Sequence, residues 1–382
     1  MEKNIVDMLF EESQLGQSTE MTSVSSIPII EYEEEEVILP KSVQDRIDNP
    51  KFVQKMLHNI DEVNKYTWSR GELGGLDWGF ESLNQAYEGL NTGIHLVGGQ
   101  SNTGKSAFML YLAQAIANAN RELSARITKK AYCIYFSLDD TNNELIPRLV
   151  AIDQKIKINA VSFPKKYEHN KEIMEKREQG FENLKENVKY IGMQDANEGS
   201  SIEYIVETCK DLQIQLDEME PNVYTLVIII DNFHDIDVDA KGYTEDNARY
   251  DFITDKLMKL AYDLDSPIIC SAEFKKISGG RRPQRDDIRS SGKISYASKN
   301  IMLCHNDYSI RQEQAGVFWE LTDQSEFGEE TTRKMPVWEV QIDKNKFGSQ
   351  KGRLFWEFMP EMSTFRESSK ENSLKYTQML QG

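Results

Sequence analysis

Short apolar runs separated by longer amphipathic stretches set the rhythm of this chain. Gly93 to Gly98, Ala131 to Leu138, Leu226 to Asp231 and Pro267 to Ala272 are apolar at consecutive positions and partly β-branched. Runs of that length and character predict strands buried on both faces, as in a parallel sheet. Lys105 to Ala117 lies between the first two and has the length and composition of a helix. Strands alternating with helices predict an α/β fold: a mostly parallel central sheet flanked by helices.

Other stretches read differently. From Ile47 to Tyr66 the residues Ile47, Phe52, Val53, Met56, Leu57, Ile60 and Val63 recur at spacings near three and four, which predicts an amphipathic helix. Its apolar face needs the chain's own core or a neighbouring subunit. Residues 1 to about 45 mix Ser, Thr and Glu and include the run Glu31-Tyr32-Glu33-Glu34-Glu35-Glu36. Mutual repulsion there predicts a disordered acidic tail, either a solvating extension or a segment for a partner. Lys155 to Lys189 is rich in Lys and Glu and predicts a solvated, partly helical excursion.

Charge narrows the function classes. With 45 basic and 63 acidic residues the formal charge is −18, which excludes a protein that coats nucleic acid with its whole surface; any such contact must be local. Cys133, Cys209, Cys270 and Cys304 are far apart, and three of them fall in apolar runs. That argues against a zinc site or a disulfide framework and fits a reducing compartment. The N-terminus carries no basic region followed by an apolar core, and no run approaches the ~20 apolar residues of a membrane span. The expectation is a soluble protein of the cytoplasm with no membrane contact.

The strongest chemical signal is Gly99-Gln100-Ser101-Asn102-Thr103-Gly104-Lys105-Ser106, a complete G-x-x-x-x-G-K-[ST] that follows an apolar run and opens a helix. Glycines let backbone N–H groups converge on a β-phosphate, the helix N-terminus adds favourable field, and Lys105 neutralises β- and γ-phosphate charge. Ser106 is the expected Mg²⁺ ligand. Leu226 to Ile230 end in Asp231, the carboxylate expected to hold the magnesium shell. ATP and Mg²⁺ are therefore the expected cofactors.

Several stretches together resemble the motor domain of DnaB-type replicative helicases, a branch of the RecA-like ATPases, over roughly Gly75 to Phe358. Gly79-Phe80-Glu81-Ser82-Leu83-Asn84 with Gly89-Leu90 is similar to the family's lead-in to the P-loop strand. Phe136-Ser137-Leu138-Asp139-Asp140 resembles a strand ending in Ser-Leu-Glu-Met, whose Glu is the general base. Arg282-Pro283 and Asp287 to Ile294 resemble a segment near the DNA-binding loop. Glu339 to Gly348 resembles the strand and turn whose basic residues reach into the next subunit's ATP site. The resemblance implies a tail over 1–45, a linker helix over 46–66, a RecA-like ATPase domain over 67–365 and a C-terminal tail over 366–382. About 65 residues stand where family members carry an N-terminal helical domain, which would suit a phage or mobile-element form in a bacterial or phage-infected cell.

Three positions depart from the family pattern. Asp139 replaces Glu, so its carboxylate is one methylene shorter and needs a repositioned water or a closer backbone to act as base. Glu273 replaces the Gln that couples γ-phosphate to the DNA loop, unless a one-residue shift places Ala272 there; an acid at that point repels phosphate unless it is paired. Lys346 stands for the arginine finger and cannot copy its bidentate contact. Lys344 matches the family's own lysine.

Lys275-Lys276-Ile277-Ser278-Gly279-Gly280-Arg281-Arg282-Pro283-Gln284-Arg285 is strongly basic in an acidic chain. Lys275, Lys276, Arg281, Arg282 and Arg285 are the expected phosphate contacts, giving affinity without base reading. Taken together, the expectation is an ATP-dependent replicative helicase or translocase on single-stranded DNA, working as a ring-shaped, hexameric homo-oligomer, with a replication partner on the acidic tail. Its rivals are a filament-forming RecA-like recombination or repair ATPase and a weakly catalytic paralogue acting as loader or regulatory subunit.

Overall fold

The computed structural model of the chain describes residues 49–240, 246–277, 281–289, 292–324 and 330–380. The expected acidic tail lies outside the described residues, as do Ile47 and the Ser278-Gly279-Gly280 tip of the basic segment. Among the described residues the strands are β1 (Gly93–Gly99), β2 (Lys130–Ser137), β3 (Ile191–Gln194), β4 (Tyr224–Asp231), β5 (Pro267–Glu273), β6 (Asn300–His305), β7 (Phe318–Gln324), β8 (Glu330–Asn345), β9 (Gly352–Met359) and β10 (Thr364–Glu367). They form one sheet in the order β10-β9-β8-β6-β1-β5-β4-β2-β3, with β7 paired to β8. The stretch from β6 to β3 is parallel throughout, and β7 to β10 extend it antiparallel.

Among the described residues the helices are α1 (Pro50–Ser69), α2 (Glu81–Tyr87), α3 (Lys105–Ala119), α4 (Asn142–Gln154), α5 (Ile158–Ser162), α6 (Lys171–Asn187), α7 (Ile202–Met219), α8 (Asp246–Asp263), α9 (Gly292–Ala297), α10 (Asp307–Arg311) and α11 (Lys370–Met379), of which α3 covers one face of the parallel part and α7 and α8 the other. Successive residues of each central strand feed opposite cores, which is why those strands read as continuous apolar runs. Val227 and Ile229 of β4 join Phe108, Leu112 and Ile116 of α3 on one face. Leu226, Ile228 and Ile230 join Ile205 of α7 and Leu257 of α8 on the other. At roughly 1.5–3 kcal/mol for each large apolar side chain buried, these two layers carry most of the stability.

Three differences from the sequence expectation have local causes. The helix expected over 46–66 is described from Pro50, with Asn49 Oδ1 accepting from Lys51 N–H at 3.0 Å, and it continues to Ser69. Pro in the first turn and Asn before it are favoured at a helix start. None of its residues is buried. The stretch 155–189 carries α5 and α6 packed over a small core of Val150, Ala151, Ile156 and Val161, so it is more tightly held than a solvated excursion. The C-terminal tail expected over 366–382 is corrected within its described part: β10 ends at Glu367 and α11 follows, capped by Ser369. Tyr376 is buried against Val337 and Phe355 and donates to Glu357 Oε1 at 3.0 Å, so the segment is folded onto the sheet.

Candidate nucleotide site and basic face

The parallel strands end level with one another, and their C-terminal edge gathers the candidate chemistry. Ser137 of β2 is in register with Asp231 of β4, and Gly99 of β1 with Glu273 of β5. From β1 the chain turns through Gln100 to Gly104 into α3. Gly104 has φ +102°, and a Cβ there would meet the Phe358 ring at 2.9 Å, so only glycine fits. The Thr103 hydroxyl donates to Gln100 O at 2.7 Å, and the buried Asn306, just after β6, donates from Nδ2 to Thr103 O at 2.9 Å. The turn is thus fixed from inside and from the neighbouring strand. No side chain caps the first turn of α3, which leaves its N–H groups available to an anion.

Ser101, Asn102, Gly104, Lys105 and Ser106 line a cleft of about 480 Å³, while Gly99, Gln100 and Thr103 form the turn behind them. Asp139, Asp231 and Glu273 line the same cleft. Lys105 is buried, with its stem close over the Gly99 backbone. Asp231 is oriented by two hydroxyl donors, Tyr135 at 3.1 Å and Ser271. Asp139 stands exposed at the rim. Phosphate oxygens and a hard cation suit this set, because a buried lysine, open helix N–H groups, a hydroxyl and an anchored carboxylate face one space. Among the described residues no three His, Cys, Asp or Glu side chains are grouped to hold a metal alone, so a cation here needs ligand oxygens as well.

The register places Glu273, not Ala272, in the cleft; Ala272 is fully buried. Glu273 Oε1 lies 3.8 Å from Lys105 Nζ, and Oε2 lies 4.0 Å from Arg289 Nη1. The acid is therefore paired. His234 Nδ1 accepts from the Glu273 N–H at 3.2 Å, and its imidazole is pulled down to about 4 by burial and by Arg289, Lys105 and Arg249, so it is neutral at neutral pH. Burial, with Glu273, Asp139 and Asp231 nearby, pushes the Asp235 carboxyl up. Sequence reasoning missed Arg148 of α4, which lines the cleft and pairs with Asp140 at 2.5 Å. The Thr141/Glu144 capping box that sets α4 was its visible signal.

Lys344 and Lys346 lie elsewhere. β8 runs antiparallel to β6, with Asn345 beside Asn300, and β6 runs parallel to β1, with Asn300 beside His95. Both lysines therefore sit at the N-terminal edge of the parallel strands, roughly 15–20 Å along the sheet from the P-loop. Lys344 Nζ donates to the carbonyls of Ser295 and Tyr296, both at 2.8 Å. Its ammonium is pulled down to about 8 by burial and then by Lys346, Arg285 and Lys299.

The arginines expected to contact phosphate are committed within the chain. Arg281 pairs with Asp287 at 2.6 Å, Arg282 with the fully buried Glu339 at 2.9 Å, and Arg285 with Asp343 at 2.6 Å. Arg353 Nη1 lies 3.4 Å from Glu339 Oε2, the oxygen that Arg282 Nε also meets at 3.2 Å. Lys275 is exposed; its Nζ makes a long contact to Asp286 O at 3.4 Å, and its N–H donates to Asp287 O at 2.6 Å. Lys276 is exposed, with no ion pair among the described residues.

A P-loop after β1, a carboxylate closing β4 two strands along from it and an antiparallel extension beyond β6 define a RecA-like P-loop ATPase fold. The chain belongs to the DnaB-like helicase C terminal domain family, whose pattern it matches over residues 75–367, and hence to the replicative helicase family. No curated protein matches it by sequence. Among solved structures it is similar to the ATPase domain of G40P, with TM-score 0.63 and 19% identity over 84% of this chain and 100% of that one. It is also similar to a DnaB-like replicative helicase described with its interactions with primase, with TM-score 0.62 and 18% identity over 95% of this chain and 71% of that one. Among the described residues no helix is long and apolar enough to cross a membrane.

Proposed function

We propose that the chain is an ATP-driven motor on single-stranded DNA that works as a ring, each ATP site being shared by two subunits. The observation that carries this is the separation of the two half-sites. The P-loop cleft and the Lys344/Lys346 pair occupy opposite edges of one sheet, so one chain cannot close its own site, whereas a head-to-tail neighbour can. The exposed apolar residues of α1, among them Phe52, Leu57 and Ile60, supply a face to seat on that neighbour. A hexamer is the closed form this arrangement favours, in the cytoplasm of a bacterial or phage-infected cell, with a replication partner on the acidic tail.

Lys105 and the α3 N–H groups hold the β- and γ-phosphates, and Ser106 and Asp231 hold Mg²⁺, which when bound neutralises phosphate charge. Asp139, free at the rim, orients water for attack. Glu273 shares Lys105 with the phosphate and, through the backbone that leads from β5 into Lys275, relays the state of the cleft to the basic segment. Lys275 and Lys276 contact DNA phosphates, while Arg281, Arg282 and Arg285 set the path of the segment through their carboxylate partners.

One observation favours a second reading: the Glu273–Lys105 pair places an acid where phosphate must go, as expected of a weakly hydrolysing loader or regulatory paralogue. Steady-state ATP hydrolysis with and without single-stranded DNA separates the two, with Lys105→Ala as the blank. Several-fold stimulation abolished by that change is the motor's signature. Turnover at the level of the blank assigns the chain to the second reading.

A further inference from the structure

In the reading above a DNA strand is held by charge alone, because the basic segment from Lys275 to Arg285 contains no aromatic residue. Folding brings one to it, Tyr296, from 11 residues beyond Arg285 in the chain. A cleft of about 400 Å³ is lined by Lys275 and Arg285 of the segment and by Gly292 and Tyr296 of α9; one carboxylate, Asp286, also lines it. Tyr296 is 79% exposed. Single exposed aromatics are common on protein surfaces, so exposure alone assigns nothing. What distinguishes Tyr296 is how it is held and what surrounds it.

The helix that carries it is anchored. Ile294 is fully buried, and both the N–H and the hydroxyl of Ser298 donate to its carbonyl, at 2.9 and 2.7 Å. Lys344 Nζ donates to the carbonyls of Ser295 and Tyr296, pinning the backbone beneath the ring. One turn earlier, Gly292 has no side chain; a Cβ there would lie 3.4 Å from Tyr296 Cε2, so the ring rests beside bare backbone. Cations outnumber acids around it in a chain whose formal charge is −18: Lys344, Lys346, Arg285 and Lys299 cluster there, with Asp343 paired to Arg285 at 2.6 Å. A backbone-pinned aromatic face among clustered cations is the combination that binds unpaired nucleotides, with a base on the ring and phosphates on the cations.

We propose that Tyr296 is a base-stacking residue for single-stranded DNA, one base lying on its ring while the adjoining phosphate sits against Lys275. The inference rests on the reading that the basic segment binds DNA, and it adds a contact to the bases themselves. Stacking accepts any base, so the site contributes affinity without sequence preference.

Fluorescence anisotropy on the full chain, with Mg²⁺ and a non-hydrolysable ATP analogue, would compare an oligothymidylate with an abasic strand of equal length. Tyr296→Ala is expected to weaken oligothymidylate binding roughly 5- to 100-fold, in line with about 1–3 kcal/mol per stacked base, and to leave the abasic strand unchanged. Tyr296→Phe and Tyr296→Trp should keep the parent's affinity, which a merely misfolded Ala variant would not explain. The inference is overturned, and the DNA reading kept, if Tyr296→Ala binds both strands like the parent while Lys275→Ala/Lys276→Ala loses both. A parent chain that binds neither strand overturns inference and reading together. A raised KM for ATP with unchanged DNA affinity assigns the ring to the nucleotide of a neighbouring subunit and likewise overturns it.

Discussion

The two edges of the parallel sheet differ in how their charges are arranged. At the P-loop edge every cation of the cleft has an acid beside it: Lys105 and Arg289 share Glu273, Arg148 meets Asp140, and nearby Arg282 meets Glu339. At the opposite edge Lys344 lies among Lys346, Arg285 and Lys299 with one acid, Asp343, which Arg285 engages at 2.6 Å, and its Nζ donates to two backbone carbonyls. The first edge is balanced without a ligand, so an incoming triphosphate must displace an acid. The second carries unspent positive charge on a surface, which favours an anion brought from outside the chain. In the proposed ring such a divided site would be regulated by assembly, the balanced half gaining its missing cations from the next copy.

The largest expected effect breaks the comparison outright. Lys346→Ala should lower turnover on the order of 10³-fold if this lysine acts as the finger does, and Lys105→Ala should abolish it. Mixed in equal amounts, the two inactive variants should regain up to about a quarter of parent turnover, since half the P-loops and half the fingers are intact and they meet at random across a cyclic interface. A mixture no more active than either variant alone would show that the two edges do not serve one shared site.

A smaller effect tests the internal pairing. Arg282→Ala leaves the fully buried Glu339 with Arg353 alone at 3.4 Å. Urea or thermal melting should show a loss of roughly 2–3 kcal/mol, short of the ~3–5 for an orphaned buried charge. DNA affinity should change less than twofold; a large loss of DNA affinity at unchanged stability would instead make Arg282 a phosphate contact. The smallest effect concerns displacement of the acid. Glu273→Gln should tighten nucleotide binding on the order of tenfold, equivalent to ~1.4 kcal/mol, as read by titration with a fluorescent ATP analogue. Unchanged or weaker affinity would mean that Glu273 swings clear at no cost.

Much of this was legible in the sequence, and the reasons differ by element. β1, β4 and β5 announced themselves because strands buried on both faces are apolar at every position, and the P-loop because phosphate chemistry fixes its spacing. β8 did not read as a run, since Glu339, Gln341 and Asp343 interrupt Val340 and Ile342. Its strand character was visible only through the family resemblance. The segment at 370–379 read as a tail because one buried tyrosine, Tyr376, gives little periodic signal. The fate of the arginines was hidden for another reason: the partners of Arg282 and Arg285 lie 57 and 58 residues away, a separation that only folding closes. Tyr296 lies 11 residues beyond Arg285 in the chain, and only folding brings it to the cleft that Lys275 and Arg285 line.

The cysteines give the molecule one more property. Cys133 and Cys304 are packed in the core on one face of the sheet, Cys209 and Cys270 in the core on the other, and burial pushes all four thiols well above their usual range. A thiol that cannot ionise does not react until its surroundings open. The wild-type chain therefore carries two silent reporters per layer, and the order in which an alkylating reagent marks them would record which side of the sheet comes apart first.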